Sequence, residues 1–221
     1  MFIGHFAVGF ASKRYAPRVN LGWLLLAPIL LDLLWPAFVL LGVEHFHVSP
    51  TSNPFLNLTF DYYPWSHSLL MAIAWGALFA FVWRLKGGTR REALVLAIGV
   101  VSHWVLDWVS HVPDMPLWRN GPISGLGLWR SPVATVVVEG VLLSLAAASY
   151  MNRTEPRDKI GNLGIWIYFL VLISLYAISI EGPQPTPGME KTIAATAFLA
   201  GGLALAAGWI DRHREALPGS V

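Results

Sequence analysis

The run Ser102-His103-Trp104-Val105-Leu106-Asp107-Trp108-Val109-Ser110-His111 sets His, Asp and His at i, i+4 and i+8 in an otherwise apolar stretch. On a helix these three side chains project from roughly one face, and all three are metal-ligand types. His5, Asp32, His67 and Glu139 stand in or beside other apolar stretches, and no Lys or Arg lies within any of them. Buried carboxylates without a basic partner require a cation. The implied chemistry is metal binding, and with an open coordination position it becomes metal-assisted hydrolysis. Neutral imidazoles from His5, His67 and His103, with Asp107 or Asp32, supply a zinc-like set, and Mn²⁺ or Mg²⁺ are the alternatives. His111, at the end of its run before Pro113, is a further candidate ligand. Glu139, flanked by valines, is the candidate general base, with Asp32 second.

Each of these residues also has a plain structural use. Asp32 precedes Trp35-Pro36, where a kink can occupy a carboxylate locally. Ser66 can serve as a helix cap beside an interfacial His67, His5 can be a hydrogen-bonded interior residue, and Glu139 can sit buried and protonated. His103 and Asp107 are the hardest to explain in this way, because an i, i+4 His/Asp pair on an apolar helix is costly unless paired, liganded or wet. His45, His47 and His213 fall in connections or the tail and are expected at the surface.

The elements that must position these groups are membrane helices. Of 221 residues 55% are hydrophobic and 13% charged, and the mean hydropathy is +0.56. A chain of this composition is too apolar for a soluble domain. Six runs are long enough to cross a hydrocarbon layer: Leu21–Val43, Ser66–Leu85, Glu92–His111, Ser131–Met151, Gly164–Ile180 and Thr192–Ile210. Each approaches the ~20 helical residues that a bilayer requires. Met1 to Ser12 is apolar but too short to span, and its basic residues follow it, which fits a re-entrant or interfacial helix better than a signal peptide. The expected fold is an all-α polytopic bundle in one domain, 1–221, with residues 151–221 adding two packing helices.

Twelve of the fifteen basic residues fall in alternate connections, among them Lys13, Arg14, Arg18, Arg84, Arg91, Arg153, Arg157 and Arg212. By the positive-inside rule both termini are cytoplasmic, and Glu44–Trp65, Val112–Arg130 and Glu181–Lys191 lie outside. Counting the helical rise from the basic anchors puts His5 roughly 12 Å deep, Asp32, His103 and Glu139 roughly 18 to 21 Å deep and Asp107 and His67 roughly 24 to 25 Å deep, so five segments can share one pocket. The net charge of +2 sits where orientation requires it and indicates no nucleic-acid partner. The absence of cysteine removes thiolate ligands, leaving His and carboxylate.

Gly4-His5, Leu31-Asp32-Leu33, Trp65-Ser66-His67-Ser68-Leu69 and Ser102-His103-x-x-x-Asp107 resemble, in order and spacing, the motifs of the YdjM-type (LexA-binding) inner-membrane metal-dependent hydrolase family. The likeness covers roughly the first 140 residues. The stretch from Leu106 to Asp114, then Gly125-Leu126-Gly127-Leu128-Trp129 and Glu139, resembles a subgroup. The resemblance implies a helical inner-membrane protein with a divalent-metal site. Where that family often carries a second acid and a His after the first-span Asp, this chain has Leu34 and Trp35, which argues against a second metal.

The depth of the site suggests a lipid or lipid-linked phosphoester reaching the outer leaflet, with Trp35, Trp65, Trp104, Trp108, Trp118 and Trp129 as an interfacial rim. Two other readings compete: a proton- or metal-coupled transporter, and a scaffold with a structural metal. The oligomeric state is not legible in the sequence.

Overall fold

The computed structural model describes residues 1–217 and has an all-α helical bundle. Its helices are α1 (Ile3–Ser12), α2 (Leu21–Leu40), α3 (Pro64–His67), α4 (Leu69–Leu85), α5 (Arg90–Ser110), α6 (Pro132–Met151), α7 (Lys159–Glu181), α8 (Glu190–Ala197) and α9 (Leu199–Asp211). Five helical stretches are long and apolar enough to cross a membrane: α2, α5, α6, α7 and the two-part α8–α9, Glu190–Asp211. The expected span Ser66–Leu85 is divided. Ser68 is extended, and its hydroxyl accepts the Met71 amide, so α4 starts afresh at Leu69 and runs 17 residues. A serine oxygen that meets the free amides of a helix start makes this break inexpensive.

Helix α1 packs against α2, α5 and α6, and seven of its ten residues are buried. It is therefore an internal helix and not one lying along an interface. Small residues make this possible. A Cβ on Gly9 would come within 2.5 Å of Leu25 Cδ2 and 2.8 Å of Leu24 O, so only glycine lets α1 approach α2 this closely. The same device joins α2 to α9, where a Cβ on Gly22 would lie 3.1 Å from the Gly208 Cα. Of the small residues in the last helix, Ala204, Ala207 and Gly208 are buried in this close packing, whereas Gly202 faces open space.

The connections gather in two groups. At one end, β1 (His45–Val48) pairs antiparallel with β2 (Leu58–Tyr62) and β3 (Met115–Pro116) with β4 (Ile123–Ser124). Hydrogen bonds tie these loops together: Asn57 to Gln184 at 2.6 Å, Asn53 to the Trp129 carbonyl at 2.8 Å, and Leu70 to the Leu117 carbonyl at 3.0 Å. In the other group, β5 (Thr154–Pro156) pairs with β6 (Arg214–Ala216), and Lys13 Nζ donates to Asp211 Oδ2 at 2.7 Å. These short strand pairs were not part of the expected all-helical layout. They form because a connection that must satisfy its own backbone groups does so by pairing.

Lys13, expected as a surface anchor, is buried. Asp211 takes the Lys13 ammonium and the Leu21 amide on Oδ2, and the Tyr150 hydroxyl at 2.7 Å on Oδ1. This four-way knot fastens α1, α2, α6 and α9 at that end.

Candidate metal centre

Four elements deliver five of the predicted ligands to one place. The first turn of α1 carries His5, the second half of α2 Asp32, the end of α3 His67, and the last two turns of α5 His103 and Asp107. These residues form two groups of three ligand atoms, His5–His103–Asp107 and Asp32–His67–His103, with the atoms of each group within 4.8 Å of one another. His103 belongs to both. Its Nε2 lies 2.9 Å from Asp107 Oδ2, 3.1 Å from His67 Nε2 and 3.6 Å from Asp32 Oδ1. His5 Nε2 is 3.1 Å from Asp107 Oδ1, and its ring stacks on His103 with centroids 3.9 Å apart.

The outer contacts decide the tautomers. His103 Nδ1 lies 2.7 Å from the Pro28 carbonyl. A carbonyl can only accept, so this nitrogen carries a proton, and in the neutral ring Nε2 presents a lone pair. His67 Nδ1 lies 2.7 Å from Ser66 Oγ, and Ser66 in turn donates to Glu44 Oε2 at 2.6 Å. With the serine proton committed to Glu44, His67 Nδ1 is the donor and its Nε2 also faces inward bare. Two imidazole nitrogens 3.1 Å apart, among the oxygens of Asp32 and Asp107, call for a proton or a metal ion between them. This is the fit of a metal site, with the outer nitrogens held as ligand imidazoles usually are. Because His103 has a single free lone pair, it can serve one ion.

Asp107 has another positive neighbour that the charge pattern overlooked. The Met1 amino group donates to its Oδ1 and lies 3.3 Å from Ser110 Oγ. Glu139 is fully buried. Its Oε2 accepts the Gly4 amide at 3.0 Å in the first turn of α1, where backbone N–H groups favour a carboxylate. Its Oε1 has no hydrogen-bond partner. The side chain of Asp32 is 39% exposed against 4% for Asp107, so of the two ligand carboxylates only Asp32 is free to exchange partners.

Glu139 and the cluster open on a cavity of about 310 Å³ lined also by Trp35, Phe55, Phe60, Trp129 and Tyr176. His111 lines it too, but belongs to neither ligand group. Its Nδ1 is 3.0 Å from Asp114 and its ring lies against Trp129. Of the serines beside the histidines, only Ser66 supports a ring. Ser68 caps α4, and Ser102 and Ser110 bond to their own helix. Among the expected rim tryptophans, Trp104 and Trp108 spend their indole N–H groups on Pro116 O and Ser124 Oγ, while Trp35 and Trp129 reach the cavity.

Glu44 was missed in the sequence. It stands alone in a connection with no pattern around it, yet its carboxylate accepts the Trp65 and Ser66 amides as well as the Ser66 hydroxyl. Burial pushes its carboxyl above the ordinary range.

In comparisons with known proteins, no family model, no curated protein and no solved structure matches this chain.

Proposed function

We propose that this protein is a membrane-embedded, metal-dependent hydrolase of the kind its motifs resemble, acting on a lipid or lipid-linked phosphoester from the outer leaflet of the inner membrane. The observation that carries the reading is the convergence of five candidate ligands from four helices beside a cavity that Glu139, with one carboxylate oxygen lacking a hydrogen-bond partner, also lines. A purely structural metal calls for a closed shell and no adjoining cavity.

His5, His67, His103 and one of the two aspartates hold the ion. Zinc suits this imidazole-rich set better than Mg²⁺, which prefers oxygen ligands. When bound, such an ion supplies Lewis acidity toward a phosphoryl oxygen and lowers the pKa of water. The protein supplies the rest. Pro28 and the Glu44–Ser66 pair fix the ring orientations, and the aromatic wall limits bulk water. Glu139 Oε1 takes the proton of the attacking water as its oxygen bonds to phosphorus. The phosphorus–oxygen bond to the leaving group breaks, and the same proton passes to the departing oxygen.

The test is zinc-loaded protein against phosphoester lipids, with Glu139→Gln alongside. Turnover should fall by roughly 10² to 10⁴ in the variant, the range for a lost general base, with metal content unchanged. Wild-type turnover in Glu139→Gln would pass the base role to Asp32. Absence of turnover together with Glu139-dependent proton or metal flux in vesicles would favour transport.

A further inference from the structure

Six buried side-chain polar atoms among the described residues lack a hydrogen-bond partner, and five belong to residues lining the single cavity beside the metal centre: His5 Nδ1, Trp35 Nε1, Trp129 Nε1, Glu139 Oε1 and the Tyr176 hydroxyl. Scattered orphans would be faults of packing. Orphans gathered on residues that line one cavity mark where a bound molecule can complete the hydrogen bonding. The last two of these groups face one another closely enough for the Tyr176 hydroxyl to donate to Glu139, so they can answer one another. The two indole N–H groups have no such recourse, since an indole nitrogen can only donate.

The charge of the cavity narrows what they can bind. Among the described residues no Lys or Arg lines it, whereas Asp32, Asp107 and Glu139 all do. A divalent ion does not outweigh the three carboxylates, so no surplus positive charge remains for a dianion. Two neutral donors suit a singly charged or neutral oxygen group. Phe2, Phe55, Leu58 and Phe60 complete the lining with apolar surface suited to a hydrocarbon chain.

The geometry points to Trp35 and Trp129 as specificity residues whose indole N–H groups donate to the oxygens of a phosphodiester monoanion on a lipid, so that diesters are preferred to phosphomonoesters. This rests on the hydrolase reading for the identity of the site and adds the class of its substrate.

Binding of dihexanoylphosphatidylglycerol, a diester, and dihexanoyl phosphatidic acid, a monoester, to the zinc-loaded protein in detergent tests it by calorimetry. The diester should bind about 10-fold more tightly than the monoester, and Trp35→Phe and Trp129→Phe, which keep the ring and lose the donor, should each weaken diester binding by about 5- to 10-fold, the scale of one hydrogen bond to a charged group. Zinc stoichiometry should not change. Because a variant can misfold, the wild-type protein with ¹⁵N-labelled tryptophan gives a second readout: diester should shift two of the eleven indole N–H resonances. Phenylalanine variants that bind as wild type, equal or better binding of the monoester, or no diester binding and no indole shift would each overturn the assignment. Tryptophan-dependent binding without turnover would sink the hydrolase reading alone, and turnover indifferent to both tryptophans would sink this inference alone.

Discussion

His103→Ala is the substitution on which the metal centre stands or falls, because His103 is the one residue common to both ligand groups. Structural zinc sites gather roughly 10–16 kcal/mol of binding from about four ligands, so loss of one should cost ~3 kcal/mol, on the order of 10² in affinity. The same change strips the Pro28 carbonyl of its donor, which should lower stability by about 1–3 kcal/mol. The two effects are separable. Zinc affinity is read by competition with a chromophoric chelator at a temperature where circular dichroism shows the variant folded, and stability by its melting curve without metal. His111→Ala is the internal control. It removes a histidine from the same cavity that touches Asp114 and Trp129 but belongs to neither group, and should leave zinc affinity near wild type. Undiminished affinity in folded His103→Ala, or equal losses in the two variants, would refute the assignment.

Ser66→Ala should weaken zinc binding by about 10- to 100-fold without touching a ligand, as expected when an outer hydrogen bond to a ligand imidazole is lost; unchanged affinity would mean that the Glu44–Ser66–His67 chain does not orient the ring. Burial raises the Glu44 carboxyl, so folding favours its protonated form. This group's contribution is complete at acid pH and is lost as pH rises through the raised value. Glu44→Gln should thus gain in melting temperature relative to wild type between about pH 4.5 and 7, and a constant difference would refute this. Asp211→Asn leaves the buried Lys13 ammonium without its counter-charge and should cost about 3–5 kcal/mol, against a negligible cost for the same change at exposed Asp61, in chemical or thermal unfolding. Cysteines at Thr51 and Leu126, both exposed and in connections of the end that carries the metal centre, should label with an impermeant thiol reagent in intact cells. Those at Lys86 and Glu155 should not, and the reverse pattern would overturn the orientation drawn from basic residues.

The helical bundle and the residues that meet in the His/Asp cluster were legible in the one-dimensional sequence because both depend on local quantities. Hydropathy over about 20 residues marks a helix that can cross a bilayer, and the i, i+4 spacing places His103 and Asp107 on one face wherever that helix ends up. Depth followed from counting residues, which is why His5, Asp32, His67 and Glu139 were placed with them. Grouping of the connections followed from the alternation of basic residues, and the contacts of residues 44–65 with 112–130 and 181–191 agree with it.

Direction about each helix axis is another matter, and there only the tertiary structure decides. His111 shares a helical face with His103 and Asp107 on paper, but α5 ends at Ser110 and the extended backbone at His111 turns the ring toward Asp114. Whether α1 lies inside the bundle depends on the fit of Gly9 against Leu24 and Leu25, a contact between segments with no mark in either alone. Glu44 reaches His67 only because the turn after α2 meets the start of α3, and Asp211 meets Lys13 across nearly the whole chain. The cavity has the same origin. Its unpaired indoles come from α2 and from the turn Leu128–Arg130, and whether a polar group is satisfied depends on every neighbour in space, which a sequence pattern does not record.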